Sequence, residues 1–156
     1  MNIYQYRVLK NALAVLFVGL IGGFFFTYKL LGVVVLPPLP LAFEADIPGT
    51  AEAWRAAHIG NLMNAIMAMA LVPLFGWAAL SEKQMSRISW AIILTIWGNA
   101  FFYVFAVFSH NRGLTAGANR FGEGNWAAPL AALPALVAAY ALLYATIALF
   151  LKLKRP

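Results

Sequence analysis

Two stretches of an otherwise oily sequence carry side chains that could do chemistry: His58, Asn61 and Asn64 in the first, Thr95, Asn99 and Tyr103 in the second. An imidazole can bind a metal or carry a proton. Carboxamides and a phenol can hydrogen-bond a substrate oxygen while charge develops on it. The chain has no cysteine, which excludes disulfides, thiolate metal sites and covalently attached c-type haem. His58 and His110 are the only histidines, so a three-histidine metal site within one chain is excluded as well. Each residue also has a plainer reading. Tyr103 suits an aromatic belt at a membrane surface, Asn64 and Asn99 suit interhelical hydrogen bonds, and His58 suits an interfacial position.

The elements that must position these residues follow from charge. Only 10% of the 156 residues are charged and 63% are hydrophobic. A soluble fold of this size could not hide so much apolar surface. An ordinary cytosolic enzyme, a disordered tail and a nucleic-acid module are thereby excluded, despite a net charge of +6. All sixteen charged residues lie outside four runs: Asn11 to Tyr28, Ala56 to Ser81, Ile88 to Asn111 and Gly124 to Leu151. Each can hold one spanning helix of about 20 residues. The expectation is one all-α integral membrane domain over 1–156, a four-transmembrane-helix bundle with spans near 11–31, 57–80, 88–108 and 127–151. Outer loops cover 32–56 and 109–126. The apolar stretch from Leu30 to Phe43 contains Pro37-Pro38-Leu39-Pro40 and reads as an extended connector along the membrane. The first run lacks a small-x-small cleavage pattern and is read as a retained helix. Its Gly19 and Gly23 have GxxxG spacing, which permits close helix approach.

Lysines and arginines set the orientation. Seven flank the N-terminus, the 81–87 loop and the C-terminus, with one acidic residue; four lie on the opposite side with four acidic residues. Both termini are therefore expected in the cytoplasm, and the basic excess needs no nucleic-acid partner. His58 to Asn64 and Asn99 to Tyr103 then fall at overlapping depths in the outer half of the bilayer, spanning about 9 Å and about 6 Å of helix. Polar groups there are costly unless paired or functional. Six residues along a helix turn 600°, so Asn64 points about 120° away from His58. The second outer loop has four glycines and three asparagines between Ser109 and Asn125, the pattern of a structured turn. It serves equally as a cap on the bundle or a lid over a site.

These stretches resemble the styrene oxide isomerase family. The resemblance is carried by the Pro48-Gly49 turn, Trp54, Ala57-His58-x-Gly60 and Asn64, then Trp97-Gly98-Asn99, Tyr103, Asn111-Arg112-Gly113-Leu114-Thr115 and Gly117-x-Asn119-x-Phe121-Gly122. It covers roughly residues 47–125; the first and last helices agree only in hydropathy. The resemblance implies a multi-pass protein of the bacterial inner membrane, a homotrimer binding ferric haem b non-covalently between protomers. By it His58 is the axial iron ligand, and Tyr103 and Asn64 face a small hydrophobic aryl epoxide. The implied reaction is a Meinwald-type rearrangement to an aldehyde: Lewis-acid opening of the benzylic C–O bond followed by a 1,2-hydride shift.

The chain departs from the family pattern in three places. Thr95 stands where the family has an aspartate, which removes a possible acceptor beneath Tyr103 or Asn99. Arg55 is shifted relative to the arginine near His58, and His110 precedes Asn111. Arg55, Arg112 and Arg120 lie on the side where haem propionates, lipid headgroups or loop carboxylates could meet them. Two rival readings remain: a b-type haem electron-transfer or sensor protein with both histidines on iron, and a cofactor-free transporter or assembly factor. No span carries the ionisable carboxylate or lysine that drives coupled transport.

Overall fold

The computed structural model describes residues 1–36 and 38–153. In chain order the elements are α1 (Ile3–Leu31), β1 (Val33–Val35), β2 (Ala42–Glu44), α2 (Ala51–Leu71), the single turn α3 (Leu74–Trp77), α4 (Glu82–Ala106) and α5 (Ala127–Lys152). Four helical segments are long and apolar enough to cross a membrane: Ile3–Leu31, Ala51–Trp77, Glu82–Ala106 and Ala127–Lys152.

Three helices begin earlier than the uncharged runs do, because polar caps start them, Thr50 at α2 among them. Asn2 and Gln5 form a reciprocal capping box at α1, and Ser81 and Gln84 form one at α4. Charged residues in these first turns lie beyond the uncharged runs, so hydropathy alone misses them. The second span is not one helix. Pro73 has no N–H to continue the ladder, α2 stops at Leu71, and the chain re-forms a turn before going extended at Ala78. At this break the Val72 carbonyl accepts from the Phe75 N–H at 3.3 Å and from Gln5 Nε2 at 3.1 Å.

The 30–43 stretch also differs from a bare connector. Val33–Val35 and Ala42–Glu44 pair as a two-stranded antiparallel hairpin, with Val34 opposite Phe43. Extended backbone there satisfies its own hydrogen bonds instead of leaving them to headgroups. Of the proline cluster, Pro37 lies outside the described residues. So do Lys154 and Arg155, which entered the charge count that sets the orientation.

α1 pairs with α2 and α5 with α4, and α4 packs against both members of the first pair. The seam is built from small residues such as Ala12, Ala65, Ala68, Ala91 and Ala145, interleaved with Val8, Val15, Ile92 and Ile96. Small side chains let helices approach closely where lipid removes any hydrophobic drive to associate. Phe17, Ile66, Leu94 and Leu143 point outward and are exposed, as lipid-facing side chains are. Trp97 Nε1 donates to Asn11 Oδ1 at 2.9 Å, tying α4 to α1 within the apolar zone.

At Gly98 the α4 backbone meets the carbonyl of Pro134 inside α5; a methyl there would sit 2.6 Å from that oxygen and 2.9 Å from Ala138 Cβ. Gly98→Ala should therefore lose about 1–3 kcal/mol of stability by overpacking. The check is an apparent melting temperature several degrees lower in detergent, with helix content unchanged.

Candidate functional site

α2 presents its polar residues to two different neighbours. Toward α4, Asn64 is buried, donates from Nδ2 to the Gly60 carbonyl at 2.9 Å, and accepts from Asn99 Nδ2 at 2.9 Å through Oδ1. The Asn99 bond fixes which end of the Asn64 amide faces where. Each amide nitrogen keeps a second proton free for another acceptor. Tyr103 lies one turn further along α4, and its ring rests directly on Gly60, where any side chain would collide with it. Its hydroxyl makes no hydrogen bond among the described residues. Asn64, Asn99 and Tyr103 thus form one polar group on the α2–α4 seam, joined by a hydrogen bond across that seam. Its outer side is closed by the apolar cluster of Ile47, Trp54, Ala57 and Val107, which Tyr103 and Phe108 join. Trp54 is held in that roof by a 2.7 Å bond from Nε1 to the Pro48 carbonyl.

His58 belongs to the other side of α2, facing α1. Its Nδ1 lies 2.8 Å from the Gly19 carbonyl oxygen. A carbonyl only accepts, so Nδ1 carries the proton, and in the neutral ring the lone pair is left on Nε2. The imidazole lies across Gly23, where a methyl would stand 2.8 Å from Nδ1 and 2.9 Å from Cε1. Gly22 meets the His58 backbone in the same way, at 3.3 Å from its N. Gly22 and Gly23 are therefore the seat of His58, while Gly19 supplies the carbonyl and makes room for Asn61 and Leu62. Asn61, one turn deeper on this seam, is 1% exposed and donates to the Ala57 carbonyl at 2.8 Å. Its Oδ1 is buried without a partner among the described residues.

The half-buried His58 has the donor set a non-covalent haem requires. In the neutral ring Nε2 is left as the donor to a metal, Nδ1 is oriented by a carbonyl, and the facing positions Gly22 and Gly23 of α1 have no side chains. The residues present therefore fit the group. No cluster of three or more His, Cys, Asp or Glu able to hold a bare metal ion occurs among the described residues. His110 is exposed in the loop after α4.

Thr95, one turn before Asn99 on α4, bonds neither Asn99 nor Tyr103 among the described residues. Its hydroxyl is buried against α5, within hydrogen-bond reach of the Ala91 carbonyl at 2.9 Å and the Ala138 carbonyl at 3.2 Å. In this chain the position serves the α4–α5 contact. Arg112 and Arg120 pair with no carboxylate: among the described residues the one ion pair is Lys29 with Asp46 at 3.4 Å. The 109–125 loop is ordered around Asn111, which is fully buried.

The family model described as styrene oxide isomerase matches residues 4–154. A styrene-oxide isomerase of Pseudomonas fluorescens is 36% identical over 120 residues, which is 77% of this chain. The matched segment spans 64% of that relative's own length. With a family match running almost from end to end over four spanning helices, the chain belongs to the styrene oxide isomerase family.

Proposed function

We propose that the protein is a multi-pass enzyme of a bacterial inner membrane, with both termini cytoplasmic, that isomerises a small aryl epoxide to an aldehyde. The observation that carries this reading is the Asn64–Asn99–Tyr103 group, set under an apolar roof in a chain of this family. Haem b, held through His58 Nε2, would supply Lewis-acid pull on the epoxide oxygen.

The chain's own residues account for the rest. The Tyr103 hydroxyl and the free amide protons of Asn64 and Asn99 are donors for the substrate oxygen. They steady the charge that grows on it as the benzylic C–O bond breaks. Asn99 holds Asn64 in the donating orientation before substrate arrives, so no reorganisation is needed during the reaction. The benzylic carbon becomes cationic, a hydride moves to it from the neighbouring carbon, and that carbon's C–O bond becomes the aldehyde carbonyl. Electrons and atoms balance without an external oxidant. Trp54, Ile47, Val107 and Phe108 keep water away from the cation, which would otherwise be trapped as a diol.

His58 faces α1, while Asn64 faces α4 and the Tyr103 ring of α4 lies on Gly60 of α2. This divergence supports a homotrimer in which haem is clamped between protomers, His58 coming from one and Asn64 with Tyr103 from its neighbour.

The test is an absorption spectrum of the purified protein, followed by addition of a phenyl-substituted epoxide. The expected result is a Soret band that shifts on addition, with aldehyde as the sole product. A six-coordinate, low-spin spectrum that does not respond, with no aldehyde formed, would point to the electron-transfer reading. A protein expressed with ample haem and showing no band would overturn the haem assignment.

A further inference from the structure

The 109–125 loop holds one backbone outlier and one unusual side-chain arrangement, and they coincide. Arg112 has φ 63°, the only non-glycine positive φ among the described residues. Such a conformation persists where the surroundings over-determine it. Here the surroundings are Asn111, whose Oδ1 accepts from the Ser109 hydroxyl at 2.7 Å and the Gly113 N–H at 3.0 Å. Its Nδ2 donates to the carbonyls of Thr115 and Gly117 at 2.9 and 2.6 Å. Asn119 in turn donates to the Asn111 carbonyl at 3.1 Å and accepts from the Phe121 N–H at 2.8 Å.

This frame brings two guanidinium groups onto one ring. Arg112 Cζ lies 4.2 Å and Arg120 Cζ 4.6 Å from the centre of Phe121. The two cations are therefore within about 9 Å of each other, and an aromatic face attracts them without cancelling their charge. All five acidic residues are described, and none lies within ion-pair distance of either arginine. Two exposed cations, fixed on one ring and without an ion-pair partner, have the chemistry to receive an oxyanion. The loop joins the ends of α4 and α5 at the level of Trp126, which is 65% exposed in the manner of a membrane-interface residue. The oxyanion present at that depth of every bilayer is the phosphodiester of a phospholipid.

We infer that Arg112 and Arg120, braced on Phe121, bind the phosphate of a phospholipid headgroup. The site is separate from the Asn64–Tyr103 group and does not depend on the proposed reaction. Anionic headgroups add net charge to the same phosphate, so they should be held in preference to zwitterionic ones.

The experiment is native mass spectrometry of the full-length protein released from nanodiscs of phosphatidylcholine mixed with phosphatidylglycerol. The wild type should retain phosphatidylglycerol selectively. The Arg112→Gln/Arg120→Gln double variant should bind it on the order of tenfold more weakly, while Arg87→Gln at the other end of the bundle should match the wild type. If the glutamine pair fails to fold, Arg112→Lys/Arg120→Lys keeps the charge but loses bidentate geometry, and should give an intermediate loss. Raising salt on the wild type should weaken retention as well. Equal retention in wild type and both double variants would overturn the inference. Inorganic phosphate displacing the lipid completely would reassign the site to a soluble oxyanion. Loss of a haem band with lipid binding intact would reassign the arginines to the carboxylates of that group.

Discussion

His58→Ala should abolish both the Soret band and epoxide conversion, a loss of about a thousandfold or more, equivalent to about 4 kcal/mol at the transition state. Gly23→Ala is the sharper version of the same experiment, because it leaves the ligand in place. The new methyl would stand 2.8 Å from His58 Nδ1 and 2.9 Å from Cε1, so the ring must turn and its bond to the Gly19 carbonyl must weaken. Losing an orienting partner of a metal-binding histidine typically costs about 10–100-fold in affinity or activity. Haem retention in Gly23→Ala should fall by that factor, with His58 still present. Gly76→Ala meets nothing within 4 Å and is the matching control for added helix propensity. An unchanged band and rate in Gly23→Ala would show that the glycine seat does not set the ligand.

The four spans and the depth of the polar residues were legible because charge is so scarce in this chain. Every charged residue marks an end, and the few polar side chains left between the ends stand out. Asn64, Asn99 and Tyr103 came together as their helical depths indicated, since antiparallel neighbours at equal depth have few other ways to satisfy carboxamides. What hydropathy could not convey was direction. The Gly19–Gly23 spacing announces a close approach, but that the approaching group is the His58 ring depends on how α1 and α2 are paired. The same holds for Gly60, whose lack of a side chain makes sense only once Tyr103 lies on it. Which neighbour Thr95 serves was hidden for a related reason: one turn before Asn99 on α4, its hydroxyl is directed to the Ala138 carbonyl of α5. The break at Pro73 removes one N–H from a long apolar run, a change that an average over the run does not register.

The divergence of His58 from Tyr103 leads to the second large effect, which appears in mixtures of chains. His58→Ala and Tyr103→Phe should each be nearly inactive alone: one loses the proposed haem ligand, and the other loses a hydroxyl that makes no hydrogen bond among the described residues and is proposed to meet the substrate oxygen. If each site takes His58 from one protomer and Tyr103 from the next, an intact site forms wherever a Tyr103→Phe chain supplies the histidine and a His58→Ala chain supplies the tyrosine. Random mixing of equal amounts around a cyclic trimer makes about a quarter of the sites intact. Co-expressed chains should therefore regain about a quarter of wild-type activity, while the two proteins mixed after separate purification regain none unless subunits exchange. A site completed within one chain predicts a different result, because every protomer then carries one defect and no combination of partners repairs it. Mixed oligomers as inactive as their parents would place His58 and Tyr103 in the same protomer's site, and the outward turn of the imidazole toward α1 would need another explanation.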